Sequence, residues 1–156
     1  DGVTSVSNVG VCPETMWPYD ISKFTQKPPA ETYKYATMCR VTSCKKITQS
    51  EQQLKTALAQ GYPIIFGMQI FASFQNNTVA TTGNVPMPVA NDECLGGHAV
   101  LICGFDNSKQ CFIVRNSWGA SWGDKGYFYL PYKYVLDANL CSDFWVLYSV
   151  TREISK

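Results

Sequence analysis

Two apolar, β-branched runs that face each other across a five-residue polar turn constrain this chain more than any other feature. His98-Ala-Val-Leu-Ile-Cys-Gly-Phe105 and Cys111-Phe-Ile-Val-Arg115 flank Asp106-Asn-Ser-Lys-Gln110, a pattern that predicts an antiparallel hairpin. Further strands are expected at Pro63-Ile-Ile-Phe-Gly-Met-Gln-Ile70, at Tyr127-Phe-Tyr-Leu130 and from Phe144 to Val150, where β-branched and aromatic residues crowd together. A helix precedes them. Ser50 and Gln53 form a capping box, Leu54, Ala57 and Leu58 an apolar stripe, and Gly61 a stop. A second helix is expected at the amino terminus, where Val3, Val6 and Val9 recur before Gly10 and the Asp1 carboxylate favours the helix dipole. Cys12 to Lys46 reads as loop-rich, and the polar stretch Gln75 to Asp92 as a long surface loop. The expected class is α+β, with helix followed by antiparallel strands in a β-barrel-like unit.

The chain has 156 residues, the size of one ordinary domain. Thirteen Lys and Arg against twelve Asp and Glu leave a formal charge of +1, so no strong field recommends nucleic acid or an anionic membrane as partner. No apolar run approaches the roughly 18 residues of a membrane-spanning helix. A start inside a helix, without Met, is expected of a cleaved or truncated product. The seven cysteines, Cys12, Cys39, Cys44, Cys94, Cys103, Cys111 and Cys141, predict one or more disulfides and an oxidising compartment. Zinc would need paired Cys-x2-4-Cys ligands, and the chain has no CxxC and a single His. No metal and no cofactor are expected.

That single histidine, His98, follows Gly96-Gly97, and Asn116-Ser-Trp-Gly119 lies 18 residues on. A lone His beside an apolar run is more often structural, but a hairpin brings these two segments onto adjacent strands. Gly96-Gly-His-Ala-Val100, Arg115-Asn-Ser-Trp-Gly119, Trp122-Gly123 and Gly126-Tyr-Phe128 resemble the His and Asn segments of papain-like cysteine peptidases, in a spelling nearer the microbial and viral branch. Gly10-Val-Cys-Pro-Glu14 and Trp17-Pro-Tyr19 are similar to the segment that follows the central helices of that family, and residues 50–70 to the opening of its second lobe. The resemblance implies a papain-like α+β fold in two parts. Residues 1–40 would be a remnant of the helical lobe, and residues 41–156 the complete antiparallel β-barrel-like lobe.

The same resemblance assigns roles. His98 would exchange a proton with a cysteine nucleophile, and Asn116 would hold the imidazole in one tautomer and orientation. Trp118 would cover the His-Asn hydrogen bond and, with Trp122, wall the leaving-group side of the cleft; core packing is the competing role for both rings. The main chain of Gly97 would meet the substrate backbone, and Ala99 would floor the pocket for the side chain two places before the cut. Gly67 and Met68, by spacing, would line another wall. Cys94 and Cys141 look like the family's disulfide across the His lobe. Cys103 and Cys111 are expected as buried core thiols, and Cys12, Cys39 and Cys44 pair among themselves or with a segment outside the chain.

The family nucleophile lies about 130–150 residues before the His and Asn, which counts back beyond Asp1. The resemblance therefore implies that the cysteine and the oxyanion-hole glutamine come from an N-terminal segment, separate or absent. The expected function is a cysteine-type peptidase acting on peptide or protein substrates. Its partners would be that segment and a propeptide or protein inhibitor, with no nucleic acid and no membrane span. The competing expectation is a catalytically inactive papain-fold structural or binding protein, for example a virion or surface component, because fold does not guarantee activity. The expected location is secreted, lysosome- or vacuole-like, or in a virion. Asn76-Asn77-Thr78 adds a glycosylation sequon.

Overall fold

Period-two burial along the central strands makes a sheet, and side-chain caps open two of the short helices, at Ser50 and Asn76. The computed structural model describes residues 2–151 and runs α1 (Gly2–Asn8), α2 (Ala30–Ala36), β1 (Val41–Lys46), α3 (Glu51–Ala59), β2 (Ile64–Phe71), α4 (Asn77–Thr82), β3 (Cys94–Asp106), β4 (Cys111–Arg115), β5 (Tyr127–Pro131), α5 (Tyr132–Val135) and β6 (Cys141–Val150). It divides into two compact units, residues 2–44 with 147–151, and residues 45–146. The strands join in the order β1-β6-β2-β3-β4-β5. The expected barrel-like lobe is thus an open six-stranded antiparallel sheet, not a closed barrel.

Within residues 45–146, β2 buries Ile64, Phe66, Met68 and Ile70 and turns the alternate residues outward. Register carries the pattern across the sheet. Val146, Ile64, Ile102, Val114 and Phe128 lie abreast on five successive strands, and none is exposed to solvent. Leu54 and Ala57 of α3 close over this layer, as the apolar stripe predicts. The cap of α3 differs in one detail from the expected box. The Ser50 side chain accepts from the Gln53 N–H (3.3 Å), but Gln53 Oε1 accepts from the Thr48 N–H (3.3 Å), because the Ser50 N–H is already given to Thr48 O.

The expected loop at 75–92 is corrected: it contains α4. Asn76 Oδ1 accepts from the Val79 N–H (2.8 Å), and Gly83, at φ +72°, returns its own N–H to Val79 O. Val79 and Val85 are buried there, so this polar-looking stretch is anchored in the core and the sequon opens a helix. The expected loop at 12–46 likewise holds α2 and β1. α2 buries Thr32 and Ala36, four residues apart. β1 is polar and buries only Val41, so period-two alternation does not betray it. In the same unit α1 ends at Asn8, two residues before the Gly10 expected to stop it. The Gly10 φ is +93°, and a β-carbon there would sit 1.8 Å from Ala36 O. The Asp1 anchor lies outside the described residues.

Cys111 is buried as expected, but Cys103 is exposed. Alternation puts Cys103 on the face opposite Val100 and Ile102, at a bulge where β3 slips against β4 between Ile102 and Gly104. Among the described residues no helix is long and apolar enough to cross a membrane.

Replacing Ser50 by Ala should lower stability by about 1 kcal/mol, read as a shift in the urea unfolding midpoint at constant slope. A second expectation concerns alkaline pH. Burial, and secondarily Asp137, pushes the Cys141 thiol up to about 12, and burial also raises the Tyr134 phenol. The unfolded chain releases these protons earlier, so stability is full below about pH 8.5 and falls as pH rises toward 12. The loss from Cys141 approaches about 1.4 kcal/mol per pH unit, and Cys141→Ala should flatten that decline. An equal slope in the variant would show that another group carries it.

Candidate active site

His98 lies on β3 opposite Met68 of β2, and Met68 in turn lies opposite Cys141 of β6. Residues paired across strands share a face, so the His98 ring emerges at the end of the core-facing set formed by His98, Val100 and Ile102. Asn116 follows directly on the last residue of β4 and is 7% exposed. Its backbone N–H donates to Gly126 O (2.9 Å), tying it to the start of β5.

The side chains meet at one bond: His98 Nε2 to Asn116 Oδ1, 2.9 Å. Asn116 Oδ1 also accepts from the Ser117 N–H at 2.8 Å. That second bond identifies the oxygen, since a flipped amide would set donor against donor. Nε2 must then carry the hydrogen and donate it, which leaves Nδ1 as the basic nitrogen of the neutral ring. Asn116 Nδ2 is buried without a hydrogen-bond partner.

Aromatic rings link this pair to the core. Trp118 stacks on His98 with centroids 5.1 Å apart and planes 29° from parallel. It meets Trp122 edge-on at 5.1 Å, and Phe74 stacks on Trp122 at 5.3 Å. Phe74 also meets Trp118 and Phe128 edge-on. Trp118 remains 38% exposed, whereas Trp122 is half-buried against the core.

A groove of about 500 Å³ opens beside His98, lined by residues 67–69, 97–99 and 138–142. Gly97, Ala99, Gly67 and Met68 are thus brought together; Trp118 and Trp122 are not among its lining residues. Its floor follows from register. Ala99, Gly67 and Ser142 lie abreast on β3, β2 and β6, and three small residues in a row leave a dent in the sheet. The wall at 138–142 carries no signal in the sequence. A second depression of about 460 Å³ touches Asn116 and is lined by Ile65, Ala99 to Leu101 and Arg115 to Ser117.

The expected Cys94–Cys141 pairing is corrected, for all seven thiols are free. Cys94 is paired with Phe71 along one edge of β2, and Cys141 with Met68 along the other. Two strand spacings of about 4.8 Å plus that stagger exceed the roughly 7 Å that a disulfide spans between Cα atoms. Cys94 Sγ instead donates to Gln69 Oε1 at 3.0 Å. Among the described residues no thiol is hydrogen-bonded to His98, and no cluster of three or more His, Cys, Asp or Glu side chains forms a metal centre.

The profile of the papain family cysteine proteases matches residues 3–142. An uncharacterised peptidase C1-like protein of Acanthamoeba polyphaga mimivirus is 42% identical over 98% of the chain and 52% of its own length. The thiol protease aleurain of Arabidopsis thaliana is 30% identical over 86% of the chain and 36% of its own length. The crystal structure of xylellain, a cysteine protease from Xylella fastidiosa, superposes with a TM-score of 0.86 at 36% identity, covering 95% of this chain and 60% of that one. The chain thus spans about half the length, or less, of these curated relatives. From the profile match, the shared fold and the His98–Asn116 segments, the chain belongs to the papain family of cysteine proteases.

Proposed function

We propose that this chain is the His- and Asn-bearing part of a cysteine peptidase whose nucleophilic cysteine and oxyanion glutamine come from a polypeptide segment that precedes it in the family. The observation that carries the reading is the His98 Nε2–Asn116 Oδ1 bond, because it commits one ring nitrogen and leaves Nδ1 to exchange a proton with a thiol. In that role Nδ1 takes the thiol proton, and the thiolate attacks the scissile carbonyl carbon. The tetrahedral adduct collapses as the imidazolium gives its proton to the leaving amine, which departs and leaves a thioester. His98 then takes a proton from water, the hydroxide adds to the thioester, and the acid product leaves as the thiolate re-forms. Asn116 serves as neutral orienter, and the stacked Trp118 keeps competing water from the His-Asn bond.

The groove with Gly97 at its edge and the Ala99–Gly67–Ser142 floor is the seat for a peptide or protein substrate, or for a propeptide or inhibitor that imitates one. The open depression beside Asn116 offers the incoming segment an apolar surface. A secreted, lysosomal or vacuolar, or virion location rests on family resemblance. A second reading, an inactive papain-fold structural or binding protein, is favoured by one observation: among the described residues no thiol is hydrogen-bonded to His98.

Mass spectrometry after exposure to a thiol-directed peptidyl epoxide separates the two. The peptidase reading expects one adduct on a cysteine of the preceding segment, co-expressed with this chain, and an inert pair supports the scaffold. In the active pair His98→Ala should lower kcat by about 10²–10⁴-fold with little change in unfolding midpoint, because the ring is only half-buried. Loss of the fold instead would assign His98 a structural role. Asn116→Ala should lower kcat more than it raises KM and cost roughly 1–2 kcal/mol of stability, since the site is buried.

A further inference from the structure

The groove wall at 138–142 comes from the irregular turn that joins α5 to β6. Two carbonyls mark the ends of that turn: Val135 O, where α5 closes, and Cys141 O, where β6 begins. Both accept hydrogen bonds from one nitrogen, Nε2 of Gln49, at 2.8 and 3.1 Å. Gln49 sits two residues before α3, is half-buried, and lines no part of the groove. Its amide uses both hydrogens on these carbonyls, which holds the two oxygens no farther apart than the two bonds laid end to end.

We propose that Gln49 is a positioning residue that sets the width of the substrate groove by clamping both ends of the turn that carries its far wall. This rests on the groove being the peptide seat argued above. The other bonds of the turn do different work. Leu140 and Cys141 N–H groups donate to Asp137 O, and the Asn139 N–H to Asp137 Oδ1, which folds the turn on itself. The Gln69 N–H donates to Leu140 O (2.8 Å) and the Tyr134 hydroxyl to Gln69 O (2.8 Å), which attaches the turn to β2. Gln69 is paired with Gly97, the residue before His98. The Gln49 clamp is the outer brace of this series, and strain or slack there passes through the wall to Gln69 and on to the edge of the groove.

Gln49→Met keeps the side-chain length and removes both donors, while Gln49→Glu sets a carboxylate against two carbonyls. Hydrogen exchange on the chain itself reads the clamp. In Gln49→Met the amides of residues 137–142 and of Gln69 should exchange on the order of 10-fold faster, with β3 and β4 within about twofold of wild type. Gln49→Glu should open the wall further, and if it fails to fold the Met variant decides. In the chain combined with the nucleophile segment, Gln49→Met should raise KM for a peptidyl-aminocoumarin substrate about fivefold with kcat within about twofold. Unchanged exchange at the wall, uniformly faster exchange everywhere, or an unchanged KM with a loosened wall each overturns the proposal. No turnover from the wild-type pair overturns the peptidase reading instead, and the exchange pattern then decides the clamp alone.

Discussion

Strand β3 is paired along both edges, to β2 from Cys94 to Ile102 and to β4 from Leu101 to Asp106. A strand held in this way cannot slip by one residue without turning Val100 and Ile102 to water and Ala99 and Leu101 into the core. The position of His98 follows from that prohibition. His98 continues the buried set 98, 100, 102, so its ring leaves the core beside Met68, while Ala99 and Gly97 look out on the other face. The place of the imidazole along the strand is therefore set by the burial of Val100 and Ile102, while Asn116 and Trp118 fix its orientation.

The polar pair needs a second support, because a single hydrogen bond leaves a ring free to pivot. Asn116 receives it from three sides: its N–H is bound to Gly126 O, its Oδ1 to the Ser117 N–H, and the same oxygen to His98. In a buried setting such a bond is stronger than in water, and any water that entered would weaken it. The ladder from Phe128 through Phe74 and Trp122 to Trp118 places the last ring against His98. Core packing thereby reaches the surface beside the His98–Asn116 pair. The groove beside His98 is supported differently, by backbone and amide hydrogen bonds to the turn that forms its wall.

Legibility in the sequence tracked how local each signal was. The hairpin 98–115 was readable because alternation and a polar turn lie within one window, and α3 because Ser50, the apolar stripe and Gly61 do. β1 escaped because it is polar with one buried residue, and α2 because seven residues after two prolines give a weak period. α4 was obscured by its polar composition, although Asn76 and Gly83 stood at its two ends as cap signals. The pairing expected of Cys94 and Cys141 failed for a non-local reason: β2 runs between them.

By itself the sequence pointed to a candidate site, since His98, Asn116 and Trp118 are spelled within two short segments, and it carried the alternation that buries one face of each central strand. The tertiary structure decided which imidazole nitrogen Asn116 takes, how Gly67, Ala99 and Ser142 align into a floor, and that residues 138–142 stand as the wall opposite. It also brought Gln49 onto carbonyls 86 and 92 residues away. Local periodicity and capping are properties of neighbouring residues, whereas these contacts exist only after distant strands have found their register, and no window of the chain contains them.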